Sequence, residues 1–159
     1  MNTFKVTTLL SVLIIASSFT ANTNELKWLG WNEGYDLAKK KNKIAVVDVY
    51  TDWCGWCKVM DRETFAKPEV IDLINKEFVP VKFNPEAQGS YTFNGKQYTG
   101  SELAALISNN QLSGYPSTVF YFPKTNEFKM EVGFKNPQAF TEILNDMVKY
   151  KASAAAKKK

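Results

Sequence analysis

The sequence predicts an α/β domain built on a central mixed β-sheet with helices on both faces. Two observations predict it. Apolar, β-branched runs at Ile44–Tyr50 and Val79–Phe83 read as strands buried on both faces, and segments with helical spacing of apolar residues alternate with them. The chain then closes with two strands joined by a short turn and a last helix. The order is α-β-α-α-β-(hairpin)-α-β-β-α, which a single mixed sheet accommodates. At 159 residues the chain has the length of one domain and can bury about two-thirds of its unfolded surface.

Residues 1–21 read as a secretory signal. Lys5 supplies a positive start, Leu9–Ala16 a short apolar stretch, and Ser17, Ser18, Thr20 and Ala21 the small residues near a cut expected between 18 and 22. The apolar run is too short to span a bilayer comfortably. The mature protein is therefore expected outside the cytoplasm, periplasmic or secreted, where disulfides form and persist. The domain is expected over 22–150. An alanine- and lysine-rich tail, 151–159, is expected to be disordered.

The elements follow in order. Trp28, Trp31, Tyr35 and Ala38 are at helical spacing, and Lys39-Lys40-Lys41 suit a helix C-terminus, so 32–41 is the first helix and an N-terminal extension of the sheet layers. Ile44–Tyr50 is the first strand. From Cys54 to about Phe65, Trp56, Val59 and Met60 repeat at helical spacing. Pro68 opens another helix with Val70, Ile71, Ile74 and Phe78 on one face, and the second strand ends at Phe83. Tyr91–Phe93 and Lys96–Tyr98 around Asn94-Gly95 predict a hairpin, an insertion-like feature within the polar segment 85–100. A short helix over 101–109 and strands at 118–122 and 128–132 come next. Asn136 caps the final helix, with Pro137 at its first position.

The formal charge of +4 belongs to the ends. Setting aside Lys5 and Lys157, Lys158 and Lys159 leaves 16 basic against 16 acidic residues, with Arg62 the only arginine. A neutral body offers no footprint for nucleic acid. There is no histidine.

Cys54-Gly55-Trp56-Cys57 holds both cysteines of the chain. A structural zinc site needs four ligands, mostly Cys or His, so none can be assembled from these within one chain. A structural disulfide closing so tight a loop would stabilise little. A redox pair is physically direct. Cys54 at a helix N-terminus favours thiolate, and Cys57, one turn deeper, displaces a substrate captured by Cys54. Asp48 is a lone carboxylate in an apolar strand, expensive to bury, and is expected beneath the start of the helix as proton acceptor for Cys57. A turn aspartate reaching water is the alternative. Lys82 interrupts the next strand, either as a partner for Asp48 or as a lysine extending to solvent. Pro116 by itself reads as a turn proline.

The segment Val47-Asp48-Val49-Tyr50-Thr51-Asp52-Trp53-Cys54-Gly55-Trp56-Cys57-Lys58 resembles the active site of the thioredoxin superfamily, in particular secreted bacterial members with a Trp-Cys-Gly-Trp-Cys-Lys core. The resemblance covers about residues 27–150. Its second motif, Gly114-Tyr115-Pro116-Ser117-Thr118, is similar to the family's cis-proline loop. It implies a thioredoxin fold, a buried acid at Asp48 with Lys82 as its partner, and a cis Pro116 facing the cysteines. It also implies a Tyr115 backbone that pairs with substrate, beside contacts from Trp53, Gly55 and Trp56. The function implied is reduction of protein disulfides by an exported monomer. It calls for no cofactor and no metal, and takes electrons from a membrane thiol reductase. An oxidase, an isomerase and a non-enzymatic peptide-binding chaperone are the alternatives. Trp56 stands where thioredoxin itself has proline. The 85–100 segment either projects beside the active site to choose partners or is an insertion without that role.

Overall fold

The computed structural model describes residues 25–156. The predicted signal segment lies outside them, as do 157–159. Four strands form one sheet in the order β2-β1-β5-β6: β1 (Ile44–Val49), β2 (Phe78–Phe83), β5 (Ser117–Phe122) and β6 (Glu127–Val132). β1 runs parallel to β2 and antiparallel to β5, and β5 is antiparallel to β6, so the sheet is mixed. The free edge of β2 is partly covered by Leu29, which bridges Val81 and exchanges backbone hydrogen bonds with Pro80 and Lys82. That cover blunts an otherwise open edge.

Every residue of β1 is buried, as a strand packed on both faces requires. Its period of two divides it between two cores. Ala45, Val47 and Val49 join Trp31, Tyr35, Phe83, Phe93, Leu103 and Tyr121 beneath α1 (Trp31–Lys41) and α4 (Gly100–Ile107). Ile44 and Val46 join Met60, Phe65, Ile74, Phe120, Phe140 and Leu144 on the other face. That face is covered by α2 (Gly55–Met60), the π-helical turn Asp61–Phe65, α3 (Pro68–Glu77) and α5 (Pro137–Ala156). The same alternation puts Asp48 on the α2 side.

The helix ends follow the expected chemistry. Pro68 and Pro137 open α3 and α5, and Asn136 Oδ1 accepts the Ala139 N–H at 2.9 Å. Thr99 and Glu102 form a reciprocal capping box on α4. α1 crosses β2 at Gly34, where a Cβ would overlap Val81 Cγ2. Gly34→Ala is therefore expected to lower unfolding free energy by about 1–3 kcal/mol, read from urea unfolding curves.

Two expectations are corrected. The tail is not disordered over 151–156: α5 runs on to Ala156. Alanine is the best helix former, and Lys151 Nζ donates to Asn42 O at 2.5 Å, which ties this turn to the body. Of the helically spaced Trp56, Val59 and Met60, Met60 turns inward with Cys57, and Trp56 is 62% exposed, as a residue expected to contact substrate must be. The hairpin β3 (Tyr91–Phe93) and β4 (Lys96–Tyr98) forms as predicted, with positive φ at both Asn94 and Gly95, the turn that suits strand twist. It does not project, however. Trp31 Nε1 donates to Thr92 O at 2.9 Å, Tyr35 OH donates to Asn94 Oδ1 at 3.1 Å, and Phe93 is buried among Trp31, Tyr35, Tyr121 and Phe128. The hairpin is part of the α1-side core.

Candidate active site

β1 ends at Val49, and the turn that follows delivers Cys54 to the N-cap of α2. The Cys54 N–H donates to Thr51 O at 3.1 Å, and Cys54 Sγ accepts the Cys57 N–H at 3.0 Å. Three residues make one helical turn, so Cys57 returns beneath Cys54. The two are bonded, with S–S 2.09 Å and Cα–Cα 5.4 Å, and both are buried. Gly55 is exposed at the first position of the helix.

Two exposed indoles, Trp53 and Trp56, adjoin this buried pair in the chain. Trp53 is 68% exposed; its Nε1 donates to Glu86 Oε2 at 2.9 Å, and its ring meets Tyr115 edge-on at 5.7 Å. Trp56 is 62% exposed, and its ring lies against that of Phe134 at 5.6 Å. Large apolar groups left in water around a reactive pair mark a contact surface.

The Tyr115–Pro116 peptide bond is cis, and Pro116 is buried. Ser117, the next residue, pairs with Val49, so this loop and the cysteine loop leave the sheet at the same end. Pro116 O accepts the Gly133 N–H at 2.8 Å, and Ser117 Oγ donates to Gly114 O at 2.7 Å, which fixes the loop. Burial, and then the Glu86 carboxylate, hold the Tyr115 phenol above its ordinary range.

Asp48 is 1% exposed and sits opposite Lys82 in the parallel register of β1 and β2. Lys82 Nζ donates to Asp48 Oδ2 at 2.6 Å and to Asp61 Oδ1 at 2.5 Å. The ammonium also lies over the rings of Trp28, Tyr50 and Phe65 at 4.8, 5.2 and 5.5 Å. Burial pushes the Asp48 carboxyl up from 3.8 to about 6, against the pull of Lys82 and with a smaller push from Asp61. Burial works to lower Lys82, but Asp48 and Asp61 together hold it above its ordinary value. Asp48 Oδ1 and Thr51 Oγ1 are buried without a partner among the described residues. The free Oδ1 lone pairs can accept a proton.

The structure thus joins Cys54 to Cys57, Asp48 to Lys82, and Trp53 to Tyr115, and it sets Trp56 against Phe134. Sequence reasoning missed Asp61, although it lies four residues after Cys57 and so on the same helix face. Trp28, Glu86 and Phe134 were also missed. Each reaches the site from an element remote in sequence, and none carries a local signal.

A family model described as "Protein of unknown function, DUF255", with the short name Thioredox_DsbH, matches residues 16–156. Spermatogenesis-associated protein 20 of Rattus norvegicus is 38% identical over 121 residues, 76% of this chain and 14% of that protein. Thiol:disulfide interchange protein DsbD of Haemophilus influenzae is 29% identical over 114 residues, 70% of this chain and 18% of that protein. The chain therefore spans less than a fifth of either relative. The solution structure of a thioredoxin from Thermus thermophilus matches with a TM-score of 0.63 at 19% identity, over 82% of this chain and 93% of that one, a likeness of fold.

Proposed function

This chain belongs to the thioredoxin-like DsbH family (DUF255), and from that premise we propose that it is an exported oxidoreductase that reduces protein disulfides. The thioredoxin fold with its Cys54–Cys57 pair supports a thiol–disulfide redox role. The observation that carries the exchange chemistry is Asp48, a buried carboxylate on the face that α2 covers, pushed up to about 6 and clamped by Lys82; the reductive direction follows from the resemblance to reducing members of the superfamily.

In the reduced protein the Cys54 thiolate attacks one sulfur of a client disulfide. That bond breaks, the other client sulfur leaves as thiolate, and a mixed disulfide with Cys54 forms. Asp48 takes the proton of the Cys57 thiol. The Cys57 thiolate then attacks Cys54 Sγ, releases the second client sulfur, and closes the Cys54–Cys57 disulfide. Two electrons pass to the client. Renewed reduction needs a dithiol donor, and the similarity to DsbD supports a membrane thiol reductase of that chemical kind. Tyr115 and Pro116 offer the client a backbone edge, and Trp53, Gly55 and Trp56 its side-chain contacts. Among the described residues no helix is long and apolar enough to cross a membrane. The signal-like composition of residues 1–21 supports export.

Two measurements test this reading. The redox potential of the purified protein is expected toward the thioredoxin end of the scale, about −270 mV, and a value near about −120 mV would mark an oxidant instead. Cys54→Ser is expected to abolish insulin disulfide reduction. Suppression of aggregation that survives this change, in a protein showing no reductase activity before it, would identify a binding module. Cys57→Ala is expected to accumulate mixed disulfides with clients, visible as dithiothreitol-sensitive adducts on non-reducing gels.

A further inference from the structure

Resting on the redox reading above, we propose that the groove beside the disulfide selects client cysteines flanked by a lysine or arginine, whose cation lies on the Trp53 indole and pairs with Glu86. Trp53 immediately precedes Cys54, so the client residue next to the attacked sulfur must lie near it. The indole is 68% exposed yet anchored at two points, by Nε1–H to Glu86 Oε2 at 2.9 Å and by the Tyr115 edge at 5.7 Å. An anchored indole with an open face is the best aromatic platform for a cation, because its quadrupole places negative potential over the ring.

Glu86 adds a full negative charge at the rim of that ring. Its own N–H donates to Asn84 Oδ1 at 2.9 Å, and Asn84 Nδ2 donates to Asp52 Oδ1 at 3.3 Å, so a second carboxylate is tied to the same rim. Among the described residues neither Glu86 nor Asp52 takes part in an ion pair. The negative charge of this flank is therefore available to a client. Glu86 also lines a groove with Pro85, Ala104, Leu112 and Tyr115, along with the polar Ser108 and Asn110, whose apolar parts suit the stem of such a side chain. The other exposed indole, Trp56, packs on Phe134 beside Lys135, whose ammonium donates to Val132 O at 2.6 Å and would repel a client cation. This asymmetry assigns the cation to the Trp53 side.

The test uses the reduced protein, freed of reductant, in single turnover. Its substrates are three peptides whose one cysteine is held in a mixed disulfide with thionitrobenzoate and differ only in the neighbouring residue: Arg, Ala or Glu. The Cys54 thiolate attacks the peptide sulfur, the peptide–thionitrobenzoate bond breaks, and the coloured thionitrobenzoate anion leaves. Cys57 then displaces the peptide thiol, and two electrons have moved from the dithiol to the mixed disulfide.

At low ionic strength the Arg peptide is expected to react about tenfold faster than the Glu peptide, with the ratio falling as salt is added. Glu86→Gln retains an oxygen to accept the indole N–H but removes the charge, and is expected to bring the ratio close to one. Glu86→Lys is expected to reverse the order. Because each ratio is taken within one protein, a general change in rate does not affect it. Equal rates for the Arg and Glu peptides, or a preference unchanged in both Glu86 variants, would overturn the proposal while reaction of the Ala peptide left the redox reading standing. Release from none of the three overturns both.

Discussion

Replacing Asp48 with asparagine is expected to make the protein more stable at neutral pH and a poorer reductant. The carboxyl titrates at about 6 in the folded chain against 3.8 ordinarily, because burial disfavours the charged form. A folded state that holds its proton more tightly than the unfolded chain loses stability as pH rises through that window. The contribution of Asp48 is thus fully present below about 3.8 and lost by pH above about 6. The gap is worth roughly 3 kcal/mol. Asparagine is close in shape to the protonated carboxyl and stays neutral, so Asp48→Asn is expected to gain up to that amount at pH 7 and nothing near pH 3. Lys82 keeps Asp61 as a partner in the variant. Urea unfolding at the two pH values checks this. A variant less stable than the parent at pH 7 would mean that the Lys82–Asp48 attraction outweighs the burial cost.

The same substitution removes the proton acceptor. General-base catalysis is worth about 100-fold or more. Resolution of the mixed disulfide by Cys57 is expected to slow on that scale, while capture by Cys54 changes much less. The pH profile of the resolving step should rise with an apparent pKa near 6 in the parent and lose that inflection in Asp48→Asn. Equal slowing of both steps would remove Asp48 from the role of base. A gain in stability coupled to a loss of rate is the pattern expected where a charge is buried for chemistry rather than for folding.

Phe93→Ala is expected to lower unfolding free energy by about 3–5 kcal/mol, a core-sized loss from a residue in a three-residue hairpin strand. Phe93 is 5% exposed and touches the rings of Trp31, Tyr35, Tyr121 and Phe128. Its removal opens a cavity at the junction of α1 with the sheet. It also loosens a strand that accepts the Trp31 indole N–H at Thr92 O. Deleting residues 90–98 outright would orphan that indole N–H and take the Asn94 partners of the Tyr35 hydroxyl, so loss of folding is expected rather than a change of substrate choice. Circular dichroism and urea unfolding read both variants. A shortened protein that still folded and reduced a small disulfide would show that the hairpin is dispensable.

Much of this molecule was legible before any coordinates. The β-branched run of β1, the prolines opening α3 and α5, and the Asn94-Gly95 turn each have a local physical cause, and each element begins within one or two residues of its expected place. The alanine-rich end of α5 was misread because low complexity was taken for disorder, although alanine and a lysine anchored on Asn42 favour the helix. The cysteine pair and Asp48 were visible because each is chemically anomalous where it stands.

By itself, the sequence determined the order of elements, the pairing of Cys54 with Cys57 one helical turn apart, and the presence of a costly carboxylate six residues before them. Each is a matter of local periodicity and composition. Only the tertiary structure decided the surroundings. Asp61 meets Lys82 across 21 residues, Glu86 holds Trp53 across 33, and Trp31 anchors the hairpin across 61. The physical reason is that these contacts depend on how buried faces pack between elements far apart in the chain. Such packing decides which charges lose their water and which rings keep theirs.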